Sequence, residues 1–150
     1  MKKPLETKEI TDRNLRQFVG YNMKRAFLAV REDLAQHLEA LGLRMTSFSA
    51  LAVIIENPDI SQSRLAEALK IERSGVVVLV DELESADLIE RGRVEGDRRQ
   101  YALRATPAGE ARWQAAEKAV QAHEDGIFAA LTAEERRTLK ALLGRVRRAT

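Results

Sequence analysis

The chain has 150 residues, a formal net charge of +2, 32% charged and 45% hydrophobic residues, the profile of one globular domain with enough chain to bury a real core. Cysteine is absent, which excludes disulfides, thiolate nucleophiles and Cys-based zinc sites. No apolar run approaches the roughly 20 residues of a membrane span, and Met1-Lys2-Lys3-Pro4 leads into no apolar h-region, so neither membrane contact nor a signal peptide is expected and the cytoplasm is the expected compartment.

Leu15, Phe18, Val19, Asn22, Ala26, Val30, Leu34, Leu38 and Leu41 recur at three- and four-residue steps and predict one long amphipathic helix, from about Asp12 to Leu41. Gly20 is its weak point, costing about 1 kcal/mol against alanine. Gly42 is a natural left-handed stop. Thr46 is expected to cap the next helix, with Phe48, Leu51, Ala52 and Ile55 as its buried face. Asn57-Pro58-Asp59 is a turn tripeptide.

Ile60 to Arg104 carries the functional signal. Ser61 to Leu69 and Arg73 to Ala86 are predicted as two helices. Leu88 to Val94 and Gln100 to Arg104 are predicted as strands around a Glu95-Gly96-Asp97 turn. Helix, turn, helix and β-ribbon in that order make a winged DNA reader. In the second helix Val76, Leu79, Val80 and Leu83 share the core-facing stripe. Arg73, Ser74, Gly75, Val77 and Val78 are left for the opposite face, where arginine and serine suit bases or phosphates and valines suit thymine methyls. The alternative is that both valines are core and Arg73 is a solvated charge. At the turn, Asp97 stands beside Arg98 and Arg99 and can hold a guanidinium fork in a fixed direction. An arginine so held suits the narrow minor groove. The alternative is an ordinary polar hairpin with a surface ion pair.

After the wing, Thr106-Pro107 starts a helix whose stripe is Trp113, Ala116, Val120, His123, Ile127 and Leu131. Thr132 to Glu135 is a capping box opening the last helix, with Leu139, Leu142, Leu143 and Val146 as its buried face. Arg145, Arg147 and Arg148 follow at its end, where cations suit the helix dipole. These outer stripes exceed what the chain can cover, so a second copy is expected to cover them. His37 and His123 lie far apart in sequence and match no metal spacing. Core or interface histidines are expected, with no metal site and no cofactor.

Ser61-Gln62-Ser63-Arg64-Leu65-Ala66, Ser74-Gly75-Val76, Leu79-Val80-Asp81-Glu82-Leu83-Glu84, Asp97-Arg98-Arg99 and Leu103-Arg104-Ala105-Thr106-Pro107-Ala108-Gly109 resemble, in order, the MarR family of winged helix-turn-helix transcription regulators. The resemblance runs from about Asp12 to Val146. It implies a mainly α fold with a small β-wing, arranged as a triangular homodimer. Residues 1–150 would form one domain, with dimerisation helices at 12–45 and 107–148 and the winged-helix DNA-binding region at 46–106. The expected DNA contacts are Ser61, Gln62, Ser63 and Arg64, then Arg73, Ser74, Val77 and Val78, then Arg91, Arg93, Asp97, Arg98 and Arg99. The resemblance places Arg99 in the minor groove with Asp97 as its positioner.

Two departures stand out. Val77 and Val78 replace residues that are often polar in the family, and Asp87 replaces its usual glycine between the second reader helix and the wing. Members are often released from DNA by a small molecule bound between the dimer helices and the reader. The lining that carries over is Tyr21, Asn22, Arg25, Phe48 and Ser49, with Arg25 for a carboxylate and Tyr21 or Phe48 for a ring. The alternative keeps Phe48 in the core and Arg25 on the surface. Leu15 to Phe27 resembles a branch answering to hydroxycinnamate-type acids or their CoA thioesters. The expected partners are a pseudo-palindromic DNA duplex, a second copy and a small effector. The competing function is a winged-helix protein-interaction module, because fold does not fix function. Ser61 to Ala105 holds eight Lys/Arg against nine Asp/Glu, a net of −1, which keeps that alternative open. No paired acid and base or nucleophile constellation points to an enzyme.

Overall fold

The order of elements is α1 (Arg13–Arg16), α2 (Val19–Glu39), α3 (Met45–Glu56), β1 (Ile60–Ser61), α4 (Gln62–Leu69), α5 (Arg73–Ser85), β2 (Ile89–Val94), β3 (Asp97–Ala105), α6 (Pro107–Ile127) and α7 (Ala133–Leu143). The structure is a computed structural model that describes residues 10–94 and 96–147, with the side chains of 97–100 excepted.

The long first helix is broken. Phe18 is extended, and α2 starts after it. The Asn22 amide donates to the carbonyls of both Arg16 and Phe18. Those carbonyls thereby gain partners outside a continuous helix, which offsets the cost of the break. At its far end α2 stops at Glu39, two residues short of the expected Leu41, and Gly42 is left-handed at φ 65 as expected. Thr46 does not cap α3. Arg44 holds the cap position, and its backbone N–H donates to Ser47 Oγ one turn on. The buried face of α3 is accordingly Ser47, Ala50, Leu51 and Ile54, with Phe48, Ala52 and Ile55 at its half-buried edge.

Leu51, Ile54, Leu65, Val80, Leu83 and Leu103 pack into one core under the reader helices. Each large apolar side chain so buried contributes about 1.5–3 kcal/mol. Ser61 accepts the Arg64 N–H and starts α4. Lys70, left-handed at φ 53, ends it. Val76, Leu79, Val80 and Leu83 are the buried stripe of α5, in agreement with the helical period. The ribbon belongs to a three-stranded antiparallel sheet in the order β1-β3-β2. β1 has no sequence signal: its two residues are too few to show a period of two. β2 and β3 start at Ile89 and Asp97, and their register shifts between Arg93 and Val94.

Asp87 makes the bend between α5 and β2 at φ 60. The turn closes through Leu88 N–H to the Leu83 carbonyl, and left-handed backbone costs a side-chain-bearing residue energy that glycine avoids. Asp87→Gly should raise stability by about 1 kcal/mol or less, part of the gain being lost to the freer unfolded chain. A urea midpoint that moved down instead would show that the Asp87 carboxylate holds the turn.

Thr106 caps α6 by accepting the Gly109 N–H, and Thr132 and Glu135 form the expected capping box of α7. The predicted buried face of α7 is exposed in the single chain: Leu142 is 51% and Val146 63% accessible. Phe18, Val19, Met23, Phe27 and Leu28 of the N-terminal helices are exposed as well. Both ends of the chain thus present apolar surface that no described element of the same chain covers. α7 stops at Leu143, so Arg145 and Arg147 follow the helix rather than end it, and Arg148 lies outside the described residues.

Candidate nucleic-acid interface

The exposed side of α5 carries Arg73, Ser74, Gly75, Val77 and Val78. Val77 is 44% and Val78 57% accessible, so the alternative of core valines fails. On α4, Ser63 and Arg64 are exposed, while Ser61 and Gln62 are half-buried. The Gln62 amide nitrogen has no hydrogen-bond partner among the described residues. The structure therefore brings the predicted helix residues to the start of α4 and to the outer side of α5.

The wing is fastened in two places. Arg91 on β2 pairs with Asp81 and with Glu84 of α5, the latter at 3.1 Å, and its guanidinium lies over the Tyr101 ring at 5.6 Å from the centroid. Its side chain is only 19% accessible. Arg91 thus stands in a tether between wing and α5, while Arg93 stands exposed. On β3, Arg104 grips Asp59 with two hydrogen bonds of 2.5 and 2.6 Å. The Arg104 guanidinium holds the Asp59 carboxyl below its ordinary pKa. The pair's contribution is present above that ordinary value and fades as pH falls through the lowered one. Arg44 likewise reaches Glu82 at 2.5 Å. Sequence reasoning misses Asp59, Asp81, Glu84 and Arg104, because pairing across elements leaves no local pattern. Gly96 stands at φ 88 as the tight turn requires. The side chains of Asp97, Arg98 and Arg99 lie outside the described residues.

The five residues expected around an effector separate. The Tyr21 hydroxyl, Arg16 and Arg25 all donate to the Asp12 carboxylate, at 2.6, 2.6 and 2.5 Å. Those bonds, the Tyr21 hydroxyl foremost, hold the Asp12 carboxyl far below the usual carboxylate range. Tyr21 and Arg25 also line an open hollow of about 380 Å³ with Lys24 and Leu28. Asn22 is engaged at the α1–α2 joint. Phe48 stacks on Trp113 with ring centroids 4.9 Å apart, and Ser49 donates to the Met45 carbonyl. Tyr21 and Arg25 are brought together; Phe48 and Ser49 are occupied within α3 and against α6.

A helix-turn-helix with an apolar and basic outer face, joined to a tethered β-ribbon, defines a winged-helix DNA-reading regulator. Residues 41–100 match the MarR family. A putative transcriptional regulatory protein for the hcr operon of Thauera aromatica is 35% identical over 131 residues, covering 87% of this chain and 79% of the relative. The solved structure of the transcriptional repressor CouR bound to a 23-mer DNA duplex superposes with a TM-score of 0.86 at 33% identity, covering 91% of this chain and 97% of that one. CouR bound to p-coumaroyl-CoA superposes with a TM-score of 0.80 at 31% identity, covering 91% and 96%. The chain belongs to the MarR family.

Proposed function

We propose that this chain is a homodimeric repressor that binds a pseudo-palindromic operator and is released by an aromatic acid or its acyl-CoA thioester. The single observation that carries the DNA-binding part is the outer face of α5. Arg73 and Ser74 at its start and the exposed Val77 and Val78 offer polar and methyl-reading contacts on one side of a helix whose other side is core. Residues 46–106 would read DNA, and 12–45 and 107–148 would join two copies. The likeness to CouR supports both the DNA and the acyl-CoA readings. Among the described residues no helix is long and apolar enough to cross a membrane, and a DNA reader belongs where DNA is, so we place it in the cytoplasm. We assign it no enzymatic activity.

A fluorescence-anisotropy titration of an operator duplex with and without p-coumaroyl-CoA tests this reading. Binding should weaken steeply with salt as counterions are released, and p-coumaroyl-CoA should raise the apparent Kd. The net −1 of residues 61–105 keeps the protein-module reading open. Salt-independent or undetectable duplex binding would overturn the DNA-binding reading.

The uncovered apolar faces of α1, α2 and α7 set the oligomer. Light scattering at micromolar concentration should give twice the chain mass. Two readers related by a two-fold axis then reach half-sites about 34–36 Å apart. A monomer at that concentration would remove the dimer.

Arg25 supplies the effector test. Arg25→Ala should leave operator affinity near that of the parent and abolish the response to p-coumaroyl-CoA, since a guanidinium beside Tyr21 and Lys24 suits an anionic group. An unchanged calorimetric Kd for p-coumaroyl-CoA would return Arg25 to its pairing with Asp12.

A further inference from the structure

His37 and His123, far apart in sequence, meet at one carboxylate. Asp33 and His37 stand one turn apart on α2, and His123 reaches across from α6. His123 is 2% exposed, and its Nδ1 is hydrogen-bonded to Asp33 Oδ2. His37 Nδ1 lies 2.8 Å from the Asp33 backbone oxygen and 3.4 Å from the same Oδ2. The rings meet edge to face, centroids 5.6 Å apart. A ligand atom from each of the three residues lies within 4.8 Å of the other two.

An ordinary buried ion pair needs one imidazole and one acid. The second imidazole, bonded through Nδ1 to the Asp33 carbonyl but within 3.4 Å of the same carboxylate oxygen, is what such a pair does not require. Two imidazoles and a carboxylate without thiolate suit Zn²⁺ or a similar first-row divalent ion, with three protein ligands and water in the fourth position. The i, i+4 spacing of Asp33 and His37 places two of the ligands on one helix face. Asp33 and His37 are half-exposed, which gives an ion a path in.

We propose that Asp33, His37 and His123 bind a divalent transition-metal ion, Zn²⁺ by preference, that clamps α2 to α6. On binding, the ion takes the place of the proton between His123 Nδ1 and the Asp33 carboxylate, which passes to solvent, and His37 turns from the Asp33 carbonyl to offer a ring nitrogen to the ion. The site lies on the two scaffold helices, apart from the α5 face and from the Tyr21–Arg25 hollow. It therefore stands or falls independently of the DNA and effector readings.

The test uses the full-length, untagged, metal-stripped protein. Co²⁺ is followed by its visible absorption and Zn²⁺ by calorimetry. One ion per chain should bind with a Kd in the micromolar range or below, and Co²⁺ should show the intense band of a four-coordinate site. His37→Gln and Asp33→Asn should each weaken binding at least ~10-fold while circular dichroism stays that of the parent. Both residues are half-exposed, so neither variant empties the core. Sub-stoichiometric binding, or binding as tight in both variants as in the parent, overturns the proposal and leaves a satisfied core histidine.

Discussion

Gly109→Ala should cost about 3 kcal/mol and lower the melting temperature by about 6–12 °C. A Cβ at this position would stand 2.0 Å from the Leu88 carbonyl oxygen and 2.9 Å from its carbonyl carbon. Backbone cannot swing aside as a side-chain tip can, so α6 must lift from the start of β2. Lifting it strains the two bonds that cross the junction: Thr106 N–H to the Leu88 carbonyl and the Thr106 hydroxyl to the Asp87 carbonyl. Gly75→Ala is the control. Gly75 lies inside α5, and an alanine methyl there would meet nothing within 4 Å among the described residues, so the substitution should be neutral or stabilising by up to about 1 kcal/mol. Thermal melts of both variants at one protein concentration decide it. Equal melting temperatures would show that the α6–β2 junction yields freely.

Arg99→Ala should weaken operator binding by about 1–3 kcal/mol and flatten the salt slope by about one unit. Asp97→Ala separates the two roles open to the wing carboxylate. On charge alone, removing an acid near DNA tightens binding. If Asp97 orients Arg99, its loss weakens binding even though the protein gains net positive charge. The two losses should then be non-additive, because both remove one positioned contact. The backbone suits this arrangement: Gly96 makes the turn at φ 88 and β3 begins at Asp97. A double-mutant cycle on one duplex at fixed salt gives the result. Tighter binding by Asp97→Ala, or strictly additive losses, would reduce Asp97 to a turn residue.

What is legible in the sequence is local. The α5 stripe follows from a period of 3.6 and needs no partner to be recognised. The same holds for the caps at Ser61, Thr106 and Thr132, because the capping residue and the amide it serves lie within three residues. Asp87 is marked only by the family resemblance, as the occupant of a usual glycine position; its left-handed backbone comes from the structure. Thr46 misleads because Ser47, its neighbour, has the same chemistry and completes the cap from inside the helix. The break at Phe18 is hidden because the apolar period runs straight through it, and only the Asn22 amide reveals what the freed carbonyls do. Arg91 shows the larger gap. An arginine beside a DNA-reading helix and an arginine neutralised by Asp81 and Glu84 look alike in sequence, since the pairing crosses from strand to helix. The meeting of His37 with His123 is hidden for the same reason: chain separation says nothing about which helices pack.

The Arg91 tether has a consequence for the grammar of the operator. If α5 and the wing both face DNA as proposed, then β2, fastened to α5 through Asp81 and Glu84, puts the bases under the helix and the groove segment under the strand turn in a single frame. A substitution in the half-site changes only the spelling, and each position can be lost separately. Inserting one base pair between the two segments moves one of them by roughly 3.4 Å along the axis and rotates it as well. A wing fixed to its helix cannot follow, so the half-site behaves as a word of fixed length.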